Sequence, residues 1–222
     1  APTTSDPIYA AINPADVSVS NTDNDVAGFT VTPTSGLVTS EAGGLATFNV
    51  VLTSQPTANV VIPVAFGDAT EGTVSASNLT FTPGNWNVAQ TVTVTGVNDA
   101  VQDGSVGYTV TLSAPTTSDP IYAAIDPADA SVTNTDNDVA GVTVTPPTGL
   151  VPREAGGVGT FNVGLTSPPT ANVVIPLAAS DASEGTVSAS NLTFTTANWS
   201  VAQAVTVTGV NDAVQDGNIG YT

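Results

Sequence analysis

The chain has no cysteine, histidine, lysine or methionine, and its single basic residue is Arg153. Without cysteine there is no disulfide framework and no thiol chemistry. Without histidine or lysine, and with serines that have no base beside them, nucleophilic catalysis has nothing to work with. Paired carboxylates can in principle hydrolyse glycosides, but the acids fall in loops with no sign of a cleft, and the chain reads as a non-enzyme. Against one cation stand 19 acidic residues, a formal net charge of −18. Phosphate recognition needs a basic face, so this balance argues against nucleic acid as a partner. It argues equally against an anionic membrane surface, and no run of ~20 apolar residues exists to insert into a membrane. Divalent cations are the natural counter-charge.

What is present points to β-structure. Apolar residues make up 41% of the chain, chiefly Val and Ala, so this is not a disordered acidic tail. Thr, Val and Gly dominate, which favours strands and turns. The opening Ala1-Pro2-Thr3 shows neither an initiating Met nor a signal peptide, and the chain reads as a processed product or a piece of something longer. A composition free of lysine and cysteine and rich in threonine is associated with secreted or cell-surface bacterial proteins.

The chain repeats itself. Residues 1–109 align without a gap on 114–222, and 22 of the 109 positions differ, leaving 87 identical. A period of 113 is one domain long, not a solenoid turn. Asn21–Gly28 and Asn134–Gly141 carry the same eight residues, Asn-Thr-Asp-Asn-Asp-Val-Ala-Gly, and each closes one unit and opens the next. The expected organisation is therefore a terminal strand segment of a preceding or partner unit at 1–27, a complete unit at 28–140, and a unit lacking its last strand at 141–222. One reading is a fragment of a long array. The other is that residues 1–27 supply the missing strand to 141–222 of a neighbouring molecule, a head-to-tail contact that does not close and makes a fibre.

Period-two alternation places seven strands in the complete unit. Strand A covers 29–32 and, after a break, 37–39; B covers 47–53; C covers 60–66, with Pro63 marking an edge or bulge. D spans roughly 73–81 with a break near 76–78; E covers 91–95, F 106–112 and G 130–135. Phe48, Val50, Leu52, Val60, Ile62, Val64, Val92, Val94, Val106, Tyr108, Val110 and Leu112 are the expected inward residues. The fold class is all-β, a seven-stranded antiparallel sandwich repeated in tandem. Trp86, and Trp199 in the second copy, read as core lids; carbohydrate stacking is the alternative. Asn78, Asn191 and Asn198 fit the N-glycosylation pattern, which is common by chance in a Ser/Thr-rich chain.

If successive strands alternate direction, the A–B, C–D and E–F loops and the exit of G share one end. Seven of the ten acids in residues 28–140 then lie there: Glu41, Asp68, Glu71, Asp99, Asp103, Asp136 and Asp138. Unpaired, each close pair costs about 1 kcal/mol even in water-like dielectric. Ca²⁺ offsets this with six to eight oxygen ligands. Mg²⁺ demands stricter geometry, and Zn²⁺ favours His or Cys. The alternative is a solvated acidic end that serves solubility.

The stretch from Val97 through Asp99, Asp103, Tyr108 and Val110 to Leu112, followed by a strand ending Asn134-Thr135-Asp136-Asn137-Asp138, resembles the Calx-beta domain. The resemblance covers the whole 113-residue unit and recurs at Asp212–Thr222 and Asn21–Asp25. It implies a seven-stranded sandwich binding Ca²⁺ through Glu41, Asp68, Asp99, Asp103, Asp136 and Asp138. In the other copies it implies Glu154, Asp181, Asp212 and Asp216, with Asp23 and Asp25 closing the preceding one. Val106 stands where the family usually has a second acid, and Asn137 interrupts the terminal acids. Both departures imply fewer or weaker ions, in the roughly 10⁻⁴–10⁻³ M range of extracellular modules. The expected role is a calcium-stiffened filament or stalk built of copies of itself or adjacent repeats, or else the spacer stem of a large adhesin.

Overall fold

The structure is a computed structural model that describes residues 2–215 and 217–222. The complete unit holds nine strand segments: β1 (Phe29–Thr32), β2 (Leu37–Ser40), β3 (Leu45–Leu52), β4 (Val60–Phe66), β5 (Gly72–Val74), β6 (Asn78–Phe81), β7 (Gln90–Gly96), β8 (Val106–Leu112) and β9 (Ala130–Thr135). They form two sheets, β1-β3-β7-β5 and β2-β9-β8-β4-β6. Seven expected strands become nine segments because A and D each cross between sheets. β1 pairs with β3 while β2 pairs with β9, and β5 pairs with β7 while β6 pairs with β4.

One pairing corrects the all-antiparallel expectation: β2 runs parallel to β9. The break at residues 33–36 passes strand A to the other sheet without reversing it, and A and G point the same way. The alternating residues do face inward. Phe48, Val50, Val60, Ile62, Val92, Val94 and Val110 are fully buried, and each large side chain so buried stabilises the fold by about 1.5–3 kcal/mol. Val106, expected inward, is only half-buried at the start of β8. Trp86 packs half-buried against this core.

The second unit repeats one sheet and half of the other. Its strands are β10 (Val142–Thr145), β11 (Val158–Leu165), β12 (Val173–Pro176), β13 (Gly185–Val187), β14 (Asn191–Phe194) and β15 (Gln203–Gly209). The sheet β10-β11-β15-β13 copies β1-β3-β7-β5, but β12-β14 stands as a two-stranded sheet. No strand forms at 150–153 or at 219–222, the positions equivalent to β2 and the start of β8, and the buried core of this unit holds Val163, Leu192, Phe194 and Val205. The two units meet through a short linker. Val139 and Gly141 present their carbonyls to Thr166, as Val26 and Gly28 do to Thr53. Residues 2–27 hold one 3₁₀ turn, Tyr9–Ala11, and no strand. No helix is long and apolar enough to cross a membrane among the described residues.

Candidate metal centre

Three loops and the exit of β9 converge at one end of the complete unit. The β2–β3 turn is tight: Gly43 and Gly44 both donate to the Ser40 carbonyl at 3.0 Å. Gly43 has φ of 80°, a conformation that costs a side-chain-bearing residue energy. The turn swings Glu41 inward, where its N–H donates to the Thr135 carbonyl at 3.1 Å. Gly96, at the end of β7, lets this turn and β9 approach. A Cβ there would lie 2.2 Å from the Ser40 carbonyl oxygen and 2.5 Å from Asn134 Oδ1.

Glu41, Asp136 and Asp138 form the first acidic group, with one carboxylate oxygen of each within 4.8 Å of the others. Glu41 is buried, and its Oε2 accepts from the Asn137 N–H at 3.0 Å. Asp136 accepts from the Gly104 N–H at 2.8 Å and from the Asp138 N–H at 2.6 Å. The second oxygen of Asp138 is buried and accepts no hydrogen bond. The Asn137 N–H pulls the Glu41 carboxyl down, but burial and the charges of Asp136, Asp99 and Asp138 outweigh it. The net effect is a Glu41 carboxyl above its ordinary value.

Glu71, Asp99 and Asp103 form the second group, on the same 4.8 Å criterion. Buried Glu71 accepts from the Asn134 side-chain amide at 3.2 Å, and Asp99 accepts from the Val101 N–H at 2.7 Å. The β7–β8 loop carrying Asp99 and Asp103 is laced to the exit of β9. Asn137 Nδ2 donates to Asn98 Oδ1 at 2.9 Å, and the Ala140 N–H donates to Gln102 Oε1 at 2.7 Å. Loops far apart in sequence thus share one acidic pole, whose two groups offer carboxylate oxygens. Such a set suits a hard cation, and the donor-less Asp138 oxygen is the atom most in need of one.

Of the residues singled out by sequence, Glu41, Asp136 and Asp138 stand together, and Asp99 and Asp103 stand with Glu71. Asp68 belongs to neither group. Its carboxylate accepts from the Thr70 hydroxyl at 2.6 Å and the Thr70 N–H at 2.9 Å, which holds it below the ordinary aspartate value. Asp181 repeats this with Ser183. Glu154 and Asp212 are half-buried, and Asp212 accepts from the Val214 N–H at 2.9 Å. Asp216 lies outside the described residues. Asp23 and Asp25 are exposed and line a cleft with Asp119 and Tyr122 at the opposite end of the complete unit. Two members of the pole were not on the sequence-derived ligand set. Glu71 shares a loop with Asp68, and the Gly72 that follows it was the available signal. Asn134 had none beyond its place in the repeated octapeptide.

A family model for the Calx-beta domain matches residues 20–138. Among solved structures, the apo-form Calx CBD1 domain is 18% identical, with 50% of this chain and 96% of that one covered at a TM-score of 0.39. The calcium binding domain CBD12 of CALX1.1 is 17% identical, with 83% and 76% covered at a TM-score of 0.40. Domains 5–6 of the S-layer protein SbsC are 18% identical, with 85% and 86% covered at a TM-score of 0.28. No curated protein matches.

Proposed function

This chain belongs to the Calx-beta domain family, and we propose that it is a calcium-binding structural repeat of a secreted bacterial filament or stalk. The observation that carries the reading is the grouping of Glu41, Asp136 and Asp138 at the exit of β9, where one Asp138 oxygen is buried without a hydrogen-bond donor. Glu41, Asp136 and Asp138 would hold one ion and Glu71, Asp99 and Asp103 a second. When bound, Ca²⁺ supplies the positive charge that this pole lacks.

The chain's own residues do the rest. Glu41 anchors the β2–β3 turn to the segment after β9 through Asn137. Asp136 anchors the β7–β8 loop through Gly104. Both contacts lie immediately before the linker to the next unit, so fixing these carboxylates fixes the linker's departure. The role is mechanical, and none of the groups at the pole is a nucleophile set beside a base.

A second reading, the spacer stem of a calcium-dependent surface adhesin, is favoured by the junction itself. The Val26 carbonyl accepts from the Thr53 hydroxyl of the following unit, and the Val139 carbonyl from the equivalent Thr166 hydroxyl, so the junction repeats with the period of the chain. Electron microscopy separates the two readings, fibres supporting the filament and isolated rods the stem. The calcium reading is tested by thermal unfolding in Ca²⁺ and in chelator. Stability should rise by about 2.7 kcal/mol at a hundredfold excess over Kd, and an unchanged transition at low salt contradicts it.

A further inference from the structure

Tyr108, on β8, reaches across the sandwich to β5, which belongs to the other sheet. A Cβ at Gly72 would lie 2.1 Å from Tyr108 Oη and 2.5 Å from its Cζ, so only glycine lets the ring lie against this backbone. Gly72 directly follows Glu71 and pairs with Gly96 at the end of β7, the strand that leads into Asp99. The tip of the ring therefore stands beneath both segments that carry Glu71, Asp99 and Asp103.

Tyr108 is 7% exposed, and its hydroxyl is buried without a hydrogen-bond partner. The Thr39 side chain and the Glu71 carboxylate are close enough to act on the phenol, but both are engaged with Asn134. The Thr39 hydroxyl donates to Asn134 Oδ1 at 3.0 Å, and Glu71 Oε2 accepts from the Asn134 amide at 3.2 Å. Burial is the largest influence on the phenol and lifts it above its ordinary value, so at neutral pH it keeps its proton and remains a donor. In the second unit Tyr221 lies against Gly185 in the same way, a Cβ there falling 2.2 Å from its Oη, and its hydroxyl is again buried without a partner. A buried donor left unpaired is destabilising, and the chain carries one at equivalent positions of both units.

A carboxylate that ligates a cation is held in place by hydrogen bonds from groups behind it, whose loss lowers affinity roughly 10–100-fold. Glu71 has one such bond, from Asn134. Resting on the calcium reading above, we propose that the Tyr108 hydroxyl supplies the second. It is a positioning group that donates to the Glu71 carboxylate when Glu71, Asp99 and Asp103 close on a divalent cation. Drawing the three carboxylates onto one charge gives the phenol the partner it lacks, so its hydrogen bond adds to the affinity of the group and not to the stability of the fold.

Tyr108→Phe removes the hydroxyl and keeps the ring against Gly72. In chelator this variant should melt at or above the wild-type temperature, because no hydrogen bond is lost. Its Ca²⁺ affinity should fall about tenfold, read by calorimetry in the Glu41→Gln chain so that the Glu41, Asp136 and Asp138 group does not mask it. In a Glu71→Gln background the same substitution should change affinity by less than about twofold, since the hydroxyl acts through that carboxylate. Adding Ca²⁺ should also produce a tyrosine red shift in the ultraviolet difference spectrum that Tyr108→Phe reduces. A lower melting temperature in chelator shows a hydroxyl that is already bonded and overturns the proposal. So do equal losses of affinity with and without the Glu71 carboxylate. If the wild-type chain binds Ca²⁺ and Tyr108→Phe binds it equally well, this inference alone falls. If the wild-type chain binds none, the calcium reading falls and this inference with it.

Discussion

The side-chain amide of Asn134 donates to the Glu71 carboxylate at 3.2 Å. It also donates to the Val97 carbonyl at 3.1 Å, and its oxygen accepts from the Thr39 hydroxyl at 3.0 Å. One buried residue of β9 thus ties together β2, the loop before β5 and the end of β7. Replacing it with leucine strands a buried carboxylate and a hydroxyl at once. Asn134→Leu should cost about 2–3 kcal/mol, read as a lower urea midpoint with an unchanged m-value.

Asp68 and Glu71 differ by three positions and should differ in role. Asp68 is satisfied by Thr70, whereas Glu71 faces Asp99 and Asp103. Glu71→Gln should weaken Ca²⁺ binding about tenfold, the effect of about 1.4 kcal/mol. Asp68→Asn should leave it within about twofold. Equal losses in the two variants, measured by calorimetry, would contradict the assignment.

Asp119 is a structural acid. The Thr57 N–H is the main cause of its lowered carboxyl pKa. Burial opposes this, and the Tyr122 N–H, the Thr57 hydroxyl and the Ile121 N–H add to the lowering. A carboxyl depressed on folding stabilises above its unfolded pKa, and that contribution fades as pH falls through the folded value. Wild type should therefore lose stability on acidification over a range in which Asp119→Asn, already weaker by about 2–3 kcal/mol, changes less.

Glu41 has the opposite sign. Its carboxyl is raised on folding, so without metal it works against the fold above its folded pKa and is relieved as pH falls through that value. In chelator, Glu41→Gln should match or exceed wild type in melting temperature at pH 7, and the gap should close on mild acidification. The same variant should lose the part of the Ca²⁺ response that belongs to the Glu41, Asp136 and Asp138 group and keep the part that belongs to Glu71, Asp99 and Asp103.

Much of the fold was legible because a half-buried strand writes its own period. β4, β8 and β9 fall on the ranges that alternation marks out, and the inward valines of β3, β4 and β7 are buried. The sheet crossing between β1 and β2 was not legible, since a break in a strand does not say on which sheet it resumes. The pole was legible as a set of loops, because alternating strand direction assigns Glu41, Asp99, Asp103, Asp136 and Asp138 to one end. The choice between Asp68 and Glu71 was not. Both lie in one turn, and a Thr70 hydroxyl bond decided the direction of one. Asn134 was hidden for a related reason: in Asn-Thr-Asp-Asn-Asp the charges draw attention, while the structural work is done by the amide.

The central claim is that one pole of the complete unit shares a cation. Its most direct test is calorimetric titration of Ca²⁺ into the chelator-stripped chain at neutral pH, beside the double variant Glu41→Gln/Asp138→Asn. The account predicts saturable binding at about 10⁻⁴–10⁻³ M that is reduced in the double variant. Heats of dilution alone, or an isotherm that the two substitutions leave unchanged, would contradict it.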